Sequence, residues 1–118
     1  CTNQGLMALA AAVYLSTLGP QGLKQIATLC YLNAHYLASQ LTATGKFELL
    51  NDGQFFNEFT VRSSEAPAQL NARLREAGII GGYDLGKVDP ALDGQLLLAA
   101  TEMTGRDAID RFVDVASA

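Results

Sequence analysis

The sequence predicts an α+β domain: a long pair of helices, then a small, mainly antiparallel sheet with helices packed on one face. Three observations carry that expectation. Apolar residues recur at helical spacing from Leu6 to Leu41, with a break signal only at Gly19-Pro20. The period then changes to two in "KFELL" and "FFNEFTVR". Beyond Ala66, helical stretches alternate with apolar runs short enough to be strands, which is a layered pattern.

Each element follows in order. Thr2 or Asn3 can cap the first helix, whose apolar positions fall on two stripes, Leu6, Leu9, Ala10, Val13 and Met7, Ala11, Tyr14, Leu18. So much apolar circumference calls for cover on both sides. Gly19 ends this helix, and Pro20 suits the first position of the next, where Leu23, Ile26, Ala27, Cys30, Ala34, Leu37 and Leu41 repeat until Gly45. A helix of that reach, roughly 37 Å, is long for a small domain and is expected to project one end toward something else. A turn at Asn51-Asp52-Gly53 is expected to join the two period-two runs into a hairpin. A helix is predicted over 66–77, a short strand at "GII", a glycine turn at "GGYDLG" and a central strand at "QLLLAAT". The last helix is expected to start at Thr104 as cap, with Asp107 in the capping-box position and Ile109, Phe112, Val113 and Ala116 toward the core.

Composition narrows the function classes. The 118 residues match the length of one domain, 1–118, with 49% hydrophobic residues to bury. A net charge of -4, with the basic residues dispersed, excludes the footprint of nucleic acid or an anionic membrane. Cys1 and Cys30 lie far apart, and the single His35 cannot complete a metal set, so no metal ligand is assigned. Such sparse cysteine fits a reducing, cytoplasmic setting, with a Cys1-Cys30 bridge left open. No charge falls between Cys1 and Leu23, yet the apolar run from Gly5 to Leu18 is short for a membrane span and has no basic flank. An N-terminal cysteine could bear a lipid, but here it leads straight into an apolar helix rather than a polar linker. The chain lacks an initiator Met and begins just before a helix, as a domain cut from a longer subunit would.

Candidate chemistry is sparse. "GGYDLGKV" falls one residue short of a phosphate-binding loop: Val88 has no hydroxyl for magnesium, and Asp89-Pro90 discourages the helix the motif requires. Glycine freedom in a turn explains Gly81 and Gly82 instead. His35, between Tyr31 and Tyr36, has no carboxylate at helical spacing to orient it, and no serine sits in a nucleophile elbow. Lys24, Lys46 and Lys87 occupy no apolar run that would depress an amine for Schiff-base chemistry. Catalytic, cofactor-binding and metal residues are therefore all assigned as none. On the strand "FFNEFTVR", Phe56, Glu58, Thr60 and Arg62 share one face, while Phe55, Phe59 and Val61 share the other with Asn57 among them. A buried amide needs a partner, so Asn57 is expected to bond a neighbouring strand, a bulge at Phe55-Phe56 or another chain.

"CTNQGLMALAAAVYLSTLGPQGL", "FFNEFTVR", "GIIGGYDLG" and "TEMTGRDAIDRFV", in that order, resemble the C-terminal domain of glycine dehydrogenase (decarboxylating) subunit 1, from the P-protein family of the glycine cleavage system. The resemblance spans the whole chain. It implies the small C-terminal domain of the type I pyridoxal-phosphate-dependent transferase fold, about the last quarter of a longer subunit. The family's oxidoreductase decarboxylates glycine and passes the aminomethyl group to the lipoyl arm of the H-protein. The resemblance further implies pyridoxal phosphate held by the companion subunit 2 and none here, in a heterotetramer. The expected partners are the chain's own large domain, subunit 2 and the lipoyl H-protein. Cys1, Thr2, Asn3 and Gln4 are then expected near the domain junction, and Asn57 and Glu58 at an interface. Two alternatives stand beside this: a free-standing module docking a partner on an exposed apolar helix face, or the small domain of another aminotransferase-like enzyme, with Arg62 clamping a substrate carboxylate.

Overall fold

The computed structural model describes residues 3–51 and 53–118. In order these form α1 (Gln4–Ala43), β1 (Phe47–Leu49), β2 (Glu58–Ser63), α2 (Pro67–Glu76), β3 (Tyr83–Asp84), two single-turn 3-10 helices (Leu85–Lys87 and Pro90–Leu92), β4 (Gln95–Ala99) and α3 (Arg106–Ala116). The expected pair of helices is α1 broken in the middle. Gly19 sits at φ 62° and ψ -179°, outside helical geometry and open to glycine because it has no Cβ. Pro20 then restarts the helix, its fixed φ suiting a first position that needs no N–H donor.

The four strands are ordered β1-β2-β4-β3, and every neighbouring pair is antiparallel. Directly opposed residues share a face. Phe59 opposes Leu98 and Val61 opposes Leu96, which makes the inner face; Thr60 with Leu97 and Arg62 with Gln95 make the outer one. Helices cover the inner face with Ala34, Leu37 and Leu41 of α1, Leu70 and Leu74 of α2, and Ile109 of α3. The expected division of "FFNEFTVR" thus holds within the strand: Phe59 and Val61 are buried, Glu58 and Arg62 exposed.

Four local expectations are corrected. The hairpin has no tight turn: the Asn51 side-chain oxygen accepts from Thr60 N at 2.8 Å and ends the ladder with β1 early, and β2 starts only at Glu58, where its pairing with Ala99 of β4 begins. Phe55, Phe56 and Asn57 therefore lie in the connecting loop, and Asp52 of the expected turn lies outside the described residues. "GII" is not a strand, since Gly78 (φ 74°) and Ile79 close α2 by donating to the carbonyls of Arg75 and Leu74. The strand moves to Tyr83–Asp84, inside the expected turn. Finally, Gly105 and not Thr104 occupies the cap position of α3, because the Thr104 hydroxyl is drawn back to accept from Thr101 N at 3.1 Å.

Two adjacent glycines are set by close packing. A Cβ on Gly82 would stand 2.8 Å from Leu98 Cδ2 and 3.0 Å from the carbonyl oxygen of Leu97. The second contact is main chain of β4 and cannot rotate away. Gly82→Ala is therefore expected to destabilise the chain by about 1–3 kcal/mol, read as a lower urea midpoint. Gly5→Ala, in open space on α1, should cause no such loss.

Candidate docking interface

The two halves of α1 differ sharply in cover. After Cys30 the helix turns Ala34, Leu37, Ala38 and Leu41 into the core, whereas residues 4–17 are exposed along their whole length. Leu6, Leu9 and Val13 are 60%, 60% and 57% exposed, and Met7, Tyr14 and Leu15 about as much. These side chains lie on several sides of the helix, as its sequence requires, with no charged residue among them to favour water. Monomeric soluble surfaces rarely carry so continuous an apolar patch. By length and composition α1 could cross a membrane. The break at Gly19 limits the uninterrupted apolar stretch to about 22 Å, short of the roughly 30 Å hydrocarbon core of a bilayer.

At the tip of this half, Asn3 occupies the cap position without a side-chain cap bond; its carbonyl accepts from Met7 N at 3.0 Å. The expected cap bond is thus absent from Asn3. Gln4 begins the helix and is exposed, while Cys1 and Thr2 lie outside the described residues.

Asn57 and Glu58 do not act as a pair. The backbone carbonyl of Asn57 accepts from Ala100 N at 3.0 Å, extending the contact of β2 with the end of β4, and neither side chain hydrogen bonds among the described residues. Glu58 edges a cleft of about 500 Å³ whose walls include Leu37, Leu97, Leu98, Ile109 and Phe112. Ile80 and Tyr83 at its rim are 97% and 56% exposed, so apolar surface continues around the mouth.

The other candidates are occupied with structure. His35 Nε2 donates to the Phe55 carbonyl at 3.0 Å, which fixes the proton on that nitrogen, and its ring stacks on Phe55 with centroids 4.0 Å apart. This contact pins the β1–β2 loop to α1. Sequence periodicity missed it because Phe55 reads as strand; the advance signal was the lone histidine set between Tyr31 and Tyr36. Tyr36 donates to Asp110 at 2.8 Å, and that bond raises its phenol above the ordinary value. Cys30 is a free, buried thiol; burial pushes it up, and its bond to the Glu102 carboxylate at 3.3 Å acts in the same direction. Such a thiol is held protonated and unreactive.

No catalytic constellation forms among the described residues. Arg62 pairs with Glu48 across the hairpin at 3.0 Å, half-exposed on the outer face, and not with Glu58 or with an open carboxylate site. Lys24, Lys46 and Lys87 are exposed, and Lys46 donates to the backbone carbonyls of Ser117 and Ala118. None is the desolvated amine that a Schiff base to pyridoxal phosphate requires, so these residues do not fit that group. Among the described residues no cluster of three His, Cys, Asp or Glu could hold a metal.

What remains is a small helix-on-sheet domain with an uncovered apolar helix, the small-domain architecture of pyridoxal-phosphate-dependent transferases. The sequence profile of the glycine cleavage system P-protein matches residues 1–116, and the chain belongs to that family. A protein described as probable glycine dehydrogenase (decarboxylating) subunit 1 from Thermomicrobium roseum is 55% identical over 97% of this chain. Its counterpart from Geobacillus thermodenitrificans is 47% identical over the same share. The chain spans about a quarter of each, 25%. A crystal structure of glycine decarboxylase (P-protein) of the glycine cleavage system, in inhibitor-bound form, superposes with a TM-score of 0.86 at 29% identity, covering 99% of this chain and 26% of that one. A NifS-like protein superposes at 0.66 with 17% identity over 82% of this chain and 28% of its own, a likeness of fold.

Proposed function

We propose that this chain is the C-terminal domain of subunit 1 of the glycine cleavage P-protein and serves assembly, not chemistry, within an enzyme that decarboxylates glycine and transfers the aminomethyl group to the lipoyl H-protein. The uncovered half of α1 carries this reading. Burial stabilises by about 25 cal/mol per Å² of apolar surface, so an apolar helix half left bare here gains most by lying against another body. The relatives' fourfold greater length supplies one, a large domain of the same subunit. Asn3 and Gln4, with Cys1 and Thr2 beside them, then approach the junction with that domain, and Glu58 faces subunit 2 from the rim of its cleft. Asn57 contributes through its backbone bond to Ala100 and so acts within the domain.

On this reading pyridoxal phosphate sits on the companion subunit, because no lysine here is placed to hold it. Bound there, it supplies the electron sink for loss of the carboxyl group. The assembly is a cytoplasmic heterotetramer. The experiment is reconstitution of the exchange of labelled bicarbonate into glycine with subunit 2 and the lipoyl protein. Subunit 1 cut short of this domain should support none of it, and the 118-residue chain alone should be inactive. Full exchange without these residues would refute the assembly role.

A further inference from the structure

A second hollow, of about 410 Å³, lies between α2 and the glycine turn, lined by Ala68, Asn71, Arg75, Gly81, Gly82 and Lys87 among others. Ala68, Ile79 and Ile80 make its apolar wall, and the polar part consists mostly of donors. Neither the Arg75 guanidinium nor the Lys87 ammonium has an ion-pair or hydrogen-bond partner among the described residues, whose two ion pairs are Arg62-Glu48 and Arg73-Glu65. Nearby carboxylates are committed elsewhere: Asp84 accepts from Gly86 N at 3.1 Å and Asp89 from Ala91 N at 2.9 Å, each holding a 3-10 turn. The backbone N–H groups of Ile80, Gly81 and Gly82 likewise donate to nothing among the described residues. One acceptor stands among these donors. Asn71 donates through Nδ2 to the Gly82 carbonyl at 2.9 Å, which leaves Oδ1 buried without a partner. Gly81 has to be glycine for this, since a Cβ there would come within 2.0 Å of that oxygen.

Unpaired cations beside free backbone N–H groups at a glycine turn form an anion site by charge and by hydrogen-bond direction. An orphaned buried acceptor is destabilising until something donates to it. We propose that this hollow binds a small oxyanion that carries a donor of its own, a hydroxy-carboxylate or a hydrogen phosphate. Arg75, Lys87 and the turn N–H groups take the charged oxygens, and Asn71 Oδ1 accepts from the ligand's hydroxyl. The hollow adjoins the Glu58 cleft through Ile79, Ile80 and Gly81, and its donors stand whether or not the assembly reading does.

The test uses the polypeptide as its gene encodes it, in equilibrium dialysis at fixed ionic strength against inorganic phosphate, glycolate and acetate. Phosphate or glycolate should bind saturably at one equivalent, and whichever binds identifies the source of the oxyanion. The double variant Arg75→Gln, Lys87→Gln should weaken that binding at least tenfold. Both side chains are exposed, so the unfolding midpoint should stay put. Acetate, with no donor for Asn71, should bind at least tenfold more weakly than glycolate. Absence of saturable binding by phosphate and glycolate, binding that the double variant retains, or acetate matching glycolate overturns the proposal.

Discussion

Aspartate at both Leu9 and Val13 is expected to block assembly of the complete enzyme while leaving this domain folded. In the chain both side chains are largely exposed, so the substitutions remove little packing and cost mainly the few tenths of a kcal/mol by which helix propensities differ. Docked against a large domain, the two carboxylates would be buried without partners, at a cost of several kcal/mol per ion. Every 1.4 kcal/mol is about tenfold in an equilibrium constant, so docking onto the large domain should weaken more than a hundredfold, and assembly and glycine–bicarbonate exchange should fail with it. Size-exclusion chromatography and the exchange assay read the two effects. Wild-type assembly by the double variant would remove the uncovered helix from the interface and leave the assembly reading without its main support.

Phe59→Ala should have the largest effect on the domain itself. Phe59 is 1% exposed at the centre of the inner face, opposite Leu98, with the Phe55 ring tilted toward it at 5.1 Å between ring centroids. Truncating a buried phenylalanine costs about 3–5 kcal/mol through lost transfer energy and the cavity left behind. Domains have only about 5–15 kcal/mol of stability in all, so the variant should be partly unfolded at 37 °C. Thr60→Ala, one residue along and on the outer face, should stay within about 1 kcal/mol. A Phe59→Ala loss no larger than that of Thr60→Ala, in urea unfolding, would place the core on the other face of the sheet.

The contrast between these positions shows how the chain could be read before it was folded. Leu37, Leu41, Phe59, Val61, Ile109 and Ala116 were legible as inward because helical and strand periods each impose one buried face, and the structure buries or half-buries them all. The break at Gly19-Pro20 was legible for a similar reason, since those two residues restrict or free the backbone wherever they occur. The bare half of α1 was legible as apolar around its girth but not as uncovered, because cover is a property of what else is present.

The errors share a cause. Asn51 ended β1 with its side chain, Gly78 and Ile79 closed α2, and Thr104 bonded back to Thr101. Each is a side-chain or terminal hydrogen bond competing with a ladder, and a sequence pattern lists the competitors without deciding between them. The hollow at Asn71 escaped notice for a related reason: Arg75, Lys87 and the glycines are far enough apart in sequence that only folding brings their charges together.

By itself the sequence determined the α+β class, the inward faces of β2, α3 and the second half of α1, and the family. The class and the inward faces follow from periodicity, which acts locally, and the family from the resemblance of four stretches along the chain. Tertiary structure alone decided where β2 begins, which carbonyl orients His35, that Arg62 is spent on Glu48, and that Arg75 and Lys87 share a wall. Each of these turns on distances between residues remote along the chain, and hydrogen bonds and ion pairs form or fail within a few tenths of an ångström.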